Sequence, residues 1–442
     1  MGVSYEFKRA YSILYRVFYD KVHIEPILSS LESPFGKKSI QRITDITYGV
    51  ARNNLYLEAL IKKLSMIEFE RIEREILIIL KISLYQLILN PIRPDYAVVD
   101  EAVEFAKHLK KENSSRFVNG ILRKILRKPS IKKEIFTFGT LEEKLSIKYS
   151  HPQFLVERWI KQFGTRKCEE ILTENQKIPK IDIIVNINKV SLKEMIEILL
   201  QNKVIAERSP YCPAGLKIIK GNLLNLPEEI KKKFYVMDLT AQSFAYIFSQ
   251  FKGNAFLDLA SAPGGKGICI KLFHNHKIYI SSDLFFTRLL KVKRNFSNFD
   301  FNTKLLIQSI LKPALKSSLF DRILLDAPCS GTGVLRKNPE AKWRLKERDF
   351  DEYKKKQIEL LSSAANLLSS GGLLFYITCS LERKENEEVV MEFLDKRKDF
   401  EIFKDFKGIK NPILNFLESS GFIRVFPQDE LDGMTSVVLK RK

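Results

Sequence analysis

AFLDLASAPGGKG (255–267) begins as a strand and ends as the start of a helix. Its first half is a short apolar run. Its second half is small residues and paired glycines, which let a backbone approach a ligand closely while the N–H groups of the next helix stay exposed. Working outward, strand-like runs recur at KIYISSD (277–283), KLLIQ (304–308), RILLD (322–326) and LLFYIT (373–378), with helical stretches between them. Strands alternating with helices predict a doubly wound parallel sheet, and such sheets bind ligands at the carboxyl ends of their strands. Asp283 ends the second strand, where an acid can hydrogen-bond ribose hydroxyls. The loop and Asp283 together point to an adenosine-type cofactor. The absence of GxGxxG favours S-adenosylmethionine over NAD.

The front of the chain has a different rhythm. Residues 1–127 read as six or so helices with short links, an all-α domain. REILIILKISLYQLIL (74–89) has too few polar breaks for a surface helix and reads as buried. DYAVVDEAVEFAKHLKK (95–111) is amphipathic, with Pro94 before it and Asp95 as its expected cap. NSSRFVNGILRKILRKP (113–129) ends in a basic face. Residues 130–150 read as a linker. Beyond it come a helix near 153–163, a strand IDIIVNI (181–187), a helix SLKEMIEILLQN (191–202) and short strand-like runs, a small α+β domain ending near Leu226. The expected domains are 1–130, 131–235 and 236–442.

The 442 residues carry 74 Lys+Arg against 53 Asp+Glu, a net charge of +21. Residues 1–140 hold 24 basic and 16 acidic side chains, so the excess is spread along the chain and is not a tail. Such a surface favours polyanions, because neutralising phosphates releases counterions. Mean hydropathy is −0.14 and no apolar run is long enough to span a membrane, so none is expected as a partner. Five cysteines (Cys168, Cys212, Cys269, Cys329, Cys379) lie far apart, without CxxC or His/Cys spacing for a metal. That pattern implies a reducing, cytoplasmic setting and no metal.

Two of those cysteines stand out. LLDAPCSGTGV (324–334) and LLFYITCSLERKENEE (373–388) each run an apolar strand into a cysteine-bearing loop. A lone cysteine is ordinarily a small buried hydrophobe. Two in matched loops at one end of one sheet face the same crevice. Two thiols beside a methyl donor point to carbon 5 of cytosine, a poor nucleophile until a thiolate adds to carbon 6. Asp326 is suited to hydrogen-bond the ring's N3/N4 edge. An amino-group methyltransferase would instead show Asn/Asp-Pro-Pro-aromatic where this chain has DAPC.

These residues carry a family resemblance. DLASAPGGKG (258–267), DAPCSGTGVLRKNPEAKW (326–343) and YITCSLERKENEEVV (376–390) resemble the three signature motifs of the RNA cytosine-5 methyltransferases. FKRAYSILYRV (7–17), DITYGVARNNLYLEALI (45–61), ILKISLYQLIL (79–89), DEAVEFAK (100–107) and RFVNGILRKILR (116–127) resemble the NusB-like RNA-binding domain, and YSHPQFLVERWIKQFG (149–164) the segment that follows it. The combination is the pattern of the RsmB (Sun) family. The resemblance implies a multidomain protein: an all-α NusB-like domain, a small α+β middle domain and an α/β Rossmann-like class I methyltransferase domain. It implies S-adenosylmethionine as cofactor and small-subunit (16S) ribosomal RNA as partner and substrate; a monomer is expected.

Residue by residue, it implies that Cys379 is the nucleophile, that Cys329 aids product release, and that Asp326 sits between cofactor and base. Ala260, Ser261, Ala262, Pro263, Gly264, Gly265 and Lys266 correspond to the cofactor loop and Asp283 to the ribose acid. The chain departs from the pattern in places. No acid occurs from Phe301 to Phe320, where an Asp near the adenine is usual, and Gln308 or Ser309 is the expected substitute. Gly267 stands where Thr is common, Met237-Asp238 where Gln-Asp is usual, Ile184-Val185-Asn186 for Arg-Val-Asn, and DGMT (432–435) for Asp-Gly-Phe-Phe. Two alternatives remain at this stage: the same chemistry on transfer RNA or another ribosomal site, and a non-catalytic RNA-binding assembly factor. LRKILRK (122–128) is expected to hold phosphates through Arg123, Lys124, Arg127 and Lys128.

Overall fold

A computed structural model describes residues 2–31, 36–109, 111–137 and 139–442. The chain divides into two compact units, one of residues 1–177 with 335–347, the other of 178–334 with 348–442.

The first unit is helical. Helices Tyr5–Tyr19, Ile24–Ser29, Lys37–Arg52, Asn54–Leu64, Arg74–Leu84, Asp95–His108 and Glu112–Arg127 follow one another through its first 127 residues. Arg74–Leu84 buries every side chain from Ile76 to Leu84 and continues into a single π-helical turn, Tyr85–Leu89. That matches its apolar sequence. Asp95 is not the cap: Pro94 occupies that position and Asp95 is the first helical residue, its carboxylate at the positive end of the helix dipole. The helix closes at His108, and residue 110 of the expected 95–111 lies outside the described residues.

The expected linker at 130–150 is structured. Ile131–Glu134 places Ile131 in the helical core, and Leu141–Tyr149 starts with a capping box in which Thr140 and Glu143 each bond the other's backbone N–H. The helices Gln153–Phe163 and Thr165–Gln176, the second not anticipated, also pack in this unit, around the fully buried Trp159.

The second unit holds two sheets. The smaller is antiparallel, in the order Ile205–Arg208, Gly215–Lys220, Ile181–Val185, Phe234–Val236. The helix Leu192–Gln201 packs against it, started by a Ser191/Glu194 capping box. The last strand of this sheet lies past Leu226.

The larger sheet carries the site. Its strands are β1 (Ala255–Leu259), β2 (Ile278–Asp283), β3 (Lys304–Ile307), β4 (Phe320–Asp326), β5 (Leu368–Thr378), β6 (Phe400–Ile402), β7 (Ile423–Val425) and β8 (Met434–Arg441). The order is β6-β8-β5-β4-β1-β2-β3, with β7 pairing to β8. Strands β1 to β5 are mutually parallel, as the alternating sequence predicts. The sheet as a whole is mixed, because β6, β7 and β8 join antiparallel. The central parallel strands β1, β4 and β5 carry apolar runs at their middles because both faces are covered there. On β5, Leu373, Phe375 and Ile377 enter one core while Leu374 and Tyr376 enter the other. Helices α1 (Gly265–Phe273), α2 (Phe286–Asn298), α3 (Asp349–Asn366) and α4 (Glu387–Lys396) connect the strands. Strand order reverses between β1 and β4, and the crevice outside their carboxyl ends is where a doubly wound sheet binds its ligand.

Candidate active site

The expected cofactor loop leaves β1 at this reversal. Ala260 takes a left-handed conformation (φ 56°), and its neighbour's backbone is pinned by Ser261 N–H donating to the Ser282 carbonyl at 2.9 Å. Asn295 of α2 donates to the Pro263 carbonyl at 2.8 Å, and Arg288 to the Ala262 carbonyl at 3.2 Å. Gly264 caps α1 with φ 105°, and Gly265 and Lys266 form its first turn. The Lys266 ammonium is already engaged: it lies 2.5 Å from the Asp326 carboxylate at the end of β4. Burial opposes its charge, but Asp326, then Asp238 and Cys379, outweigh burial and hold the lysine above its ordinary pKa.

Three buried polar atoms line the carboxyl ends of β1, β2 and β3 without a hydrogen-bond partner: Ser261 Oγ, Asp283 Oδ2 and Gln308 Nε2. Asp283 Oδ1 accepts from Phe285 N–H at 3.1 Å, while Oδ2 has only the Arg288 guanidinium, 3.5 Å away. Gln308 turns its oxygen to Ala314 N–H at 3.1 Å, so its free end is the amide donor. Buried polar atoms are nearly always satisfied. A ligand with ribose hydroxyls and a purine edge fits this row, so the residues present suit an adenosyl cofactor. Of the two substitutes expected for the missing acid, Gln308 is the buried one with a free donor.

The two expected cysteines come together. Asp326 and Ile377 are register partners on β4 and β5, so the loops that follow run side by side. They bring Cys329 Sγ and Cys379 Sγ to 3.3 Å, both partly exposed. Cys168, Cys212 and Cys269 are by contrast buried in the core. Contact with Cys379 first, then burial and the charges of Cys379 and Glu385, pushes the Cys329 thiol well above its ordinary pKa. Cys329 therefore holds its proton next to Cys379.

A residue that sequence reasoning passed over ties the loops together. Glu385 is fully buried. Its carboxylate accepts from Ser330 N–H at 2.8 Å, Ser380 Oγ at 2.6 Å and Gln357 Nε2 at 3.1 Å, and also from Ser330 Oγ. The serine after each cysteine is thus held by one side chain. Its signal in the sequence was the repeated Cys-Ser pair. The backbone is as tight: Gly333 N–H donates to the Cys379 carbonyl at 2.9 Å and Gly433 N–H to Gly333 O at 2.8 Å. A Cβ on Gly333 would lie 2.1 Å from Gly433 O, so the Gly433 of the C-terminal DGMT backs the cysteine loops.

Of the four expected phosphate-holding residues, two have other partners. Lys124 Nζ donates to the Leu64 carbonyl at 3.0 Å and Lys128 pairs with Glu134 at 3.0 Å, leaving Arg123 and Arg127. Among the described residues there is no cluster of acids, histidines and cysteines suited to a metal, and no helix long and apolar enough to cross a membrane.

The chain is similar to known proteins along most of its length. Residues 245–440 match the family described as 16S rRNA methyltransferase RsmB/F, residues 8–127 the NusB family, and residues 151–223 the RsmF/B-like ferredoxin-like domain. A probable ribosomal RNA small subunit methyltransferase B of Coxiella burnetii is 30% identical over 374 residues, covering 83% of this chain and 85% of that protein. One of Bacillus subtilis is 29% identical, covering 81% and 80%. The crystal structure of PH0851 superposes with a TM-score of 0.78 at 23% identity over the full length of both chains, a likeness of fold.

Proposed function

The chain belongs to the RsmB/F family of 16S rRNA methyltransferases, and from that premise we propose that it methylates carbon 5 of a cytosine in small-subunit ribosomal RNA through a covalent Cys379 adduct. As a member of the family it is an S-adenosylmethionine-dependent RNA methyltransferase. The observation that carries the finer reading is the pair of thiols 3.3 Å apart beside the Lys266–Asp326 pair.

Each residue then has a task. The Cys379 thiolate adds to carbon 6, and the displaced ring electrons make carbon 5 an enamine-like nucleophile. Asp326 hydrogen-bonds the N3/N4 edge and stabilises the ring during addition, while Lys266 fixes its carboxylate. Bound in the crevice held by Asp283, Ser261 and Gln308, S-adenosylmethionine supplies the methyl group. Once the Cys379 sulfur is bonded to carbon 6, the sulfur–sulfur contact that holds the Cys329 thiol up is relieved. Cys329 then releases its proton to solvent and takes the proton from carbon 5. The electron pair left behind re-forms the C5–C6 double bond and breaks the C6–S bond, returning Cys379 as thiolate. The ring face that Cys379 attacks is blocked in a duplex, so the target base is unstacked first.

The test uses purified protein, labelled S-adenosylmethionine and unmethylated small-subunit RNA. Wild type is expected to form 5-methylcytosine. Cys379→Ala is expected to form none, and Cys329→Ala to accumulate a protein–RNA adduct stable in a denaturing gel. Methylation that survives Cys379→Ala would overturn the mechanism.

A further inference from the structure

Helix α2 starts three residues after Asp283, and its approach is unusual. Leu284, Phe285 and Phe286 are 55%, 55% and 59% exposed, with Leu290 one turn on at 45%. No other phenylalanine among the described residues is exposed. The opposite face of the helix is locked down, with Leu289, Val292 and Phe296 buried in the core of the sheet. The exposed rings therefore sit at the N-terminus of a helix anchored by its other face. From Leu284 to Phe299 there is no acidic residue. Lys291, Lys293 and Arg294 are exposed and make no ion pair among the described residues. Exposed aromatic rings interleaved with exposed cations, next to a cofactor crevice, match one kind of partner. A single-stranded nucleic acid offers bases to stack on rings and phosphates to pair with cations. A duplex hides its base faces, and an acidic protein or a lipid surface gives no reason for the rings to adjoin the crevice.

We propose that Leu284–Phe286 and the outer face of α2 form a stacking platform for an unpaired stretch of substrate RNA near the target nucleotide. Phe285 and Phe286 stack on bases, and Lys291, Lys293 and Arg294 contact phosphates. This rests on the reading of the chain as an enzyme acting on RNA. The platform holds flanking nucleotides and takes no part in the chemistry.

The experiment compares the full chain with Phe285→Ala/Phe286→Ala, Phe285→Trp/Phe286→Trp and Lys291→Ala/Lys293→Ala/Arg294→Ala. Affinity for unmethylated small-subunit RNA is measured across a salt series, and S-adenosylhomocysteine affinity is measured by calorimetry as a control. The alanine pair is expected to weaken RNA binding about tenfold with the salt slope unchanged. The tryptophan pair should restore it. The triple variant should lower the slope of log K against log salt by about 2, from roughly 0.7 for each single-strand contact. Affinity for S-adenosylhomocysteine should stay at the wild-type value in all three. If wild type binds and methylates RNA and every variant binds it equally well, the platform is wrong while the enzymatic reading stands. If wild type binds no RNA, both fall.

Discussion

At Gly267, where the family resemblance leads to an expectation of threonine, a neighbouring residue supplies a physical reason for glycine. A Cβ there would lie 2.6 Å from Tyr279 Oη and 2.9 Å from a Phe296 ring carbon. The hydroxyl of Tyr279 fills that space and donates to Asp258 Oδ2 at 3.3 Å. Gly267→Thr should therefore destabilise the protein by about 1–3 kcal/mol through overpacking, measured by urea unfolding. Adding Tyr279→Phe should recover part of that loss; no recovery would place the clash elsewhere. Asp258 itself makes a pH-dependent contribution. Burial first, then the charge of Asp326, raises it from 3.8 to about 7. An unfolded aspartate ionises near 3.9, so between about pH 4 and 7 the folded state keeps a proton that the unfolded state has lost. Stability from this group is full below that window and falls as pH rises through it, by on the order of 4 kcal/mol in all. Asp258→Asn should unfold with a flatter dependence than wild type from pH 4 to 7. Identical slopes would mean that Asp258 is ionised in the fold. Asp258 stands inside the quoted DLASAPGGKG, yet its burial was not legible there, because it depends on Tyr279 from the next strand.

At the scale of elements, the two cysteine loops show what a strand pattern reveals and what it hides. Parallel strands buried on both faces are apolar runs, so β4 and β5 were readable, and with them the cysteines beyond their carboxyl ends. Their neighbour relation was not readable, since it comes from pairing across the sheet. Glu385 was hidden for another reason: in ERKENEE (382–388) it reads as one charge on a solvated face. Its carboxylate receives four donors, so an amide in its place turns an N–H₂ toward at least one of them. Glu385→Gln should cut methyl transfer at least tenfold, on the order of a lost buried charged hydrogen bond. Because Glu385 positions the sulfurs, diamide should also join Cys329 to Cys379 more slowly in the variant. Wild-type rates of cross-linking would mean that the loops hold their spacing without it. The polar stretch at 130–150 misled in the opposite direction. Its charges suggested a linker, while its capping box and the buried Ile131 make it part of a folded unit.

At the scale of the molecule, a segment that sequence order assigns to the methyltransferase domain folds elsewhere. LRKNPEAKWRLKE (335–347) follows the Cys329 loop directly, yet it packs into the helical unit. Trp343 Nε1 donates to the Ala51 carbonyl at 2.7 Å, Lys342 Nζ to the Arg52 carbonyl at 3.0 Å, and Arg52 to the Arg336 carbonyl at 2.8 Å. Ile24 N–H donates to Glu340 at 3.3 Å. The carbonyls of Ala51 and Arg52 end the helix Lys37–Arg52 and have no intrahelical donor left, so the distant segment acts as that helix's C-terminal cap. No periodicity within residues 1–130 announces a cap supplied from nearly 300 positions on, which is why domain reading by composition could not find it. Trp343→Ala in the full chain should accordingly loosen the helical unit first. Losing a half-buried ring and its hydrogen bond costs on the order of 2–3 kcal/mol, so amides of 37–64 should exchange about 30- to 150-fold faster by hydrogen exchange. Amides of β4 and β5, although nearer in sequence, should keep their protection. The reverse pattern, with β4 and β5 exposed and 37–64 unchanged, would return the segment to the catalytic unit.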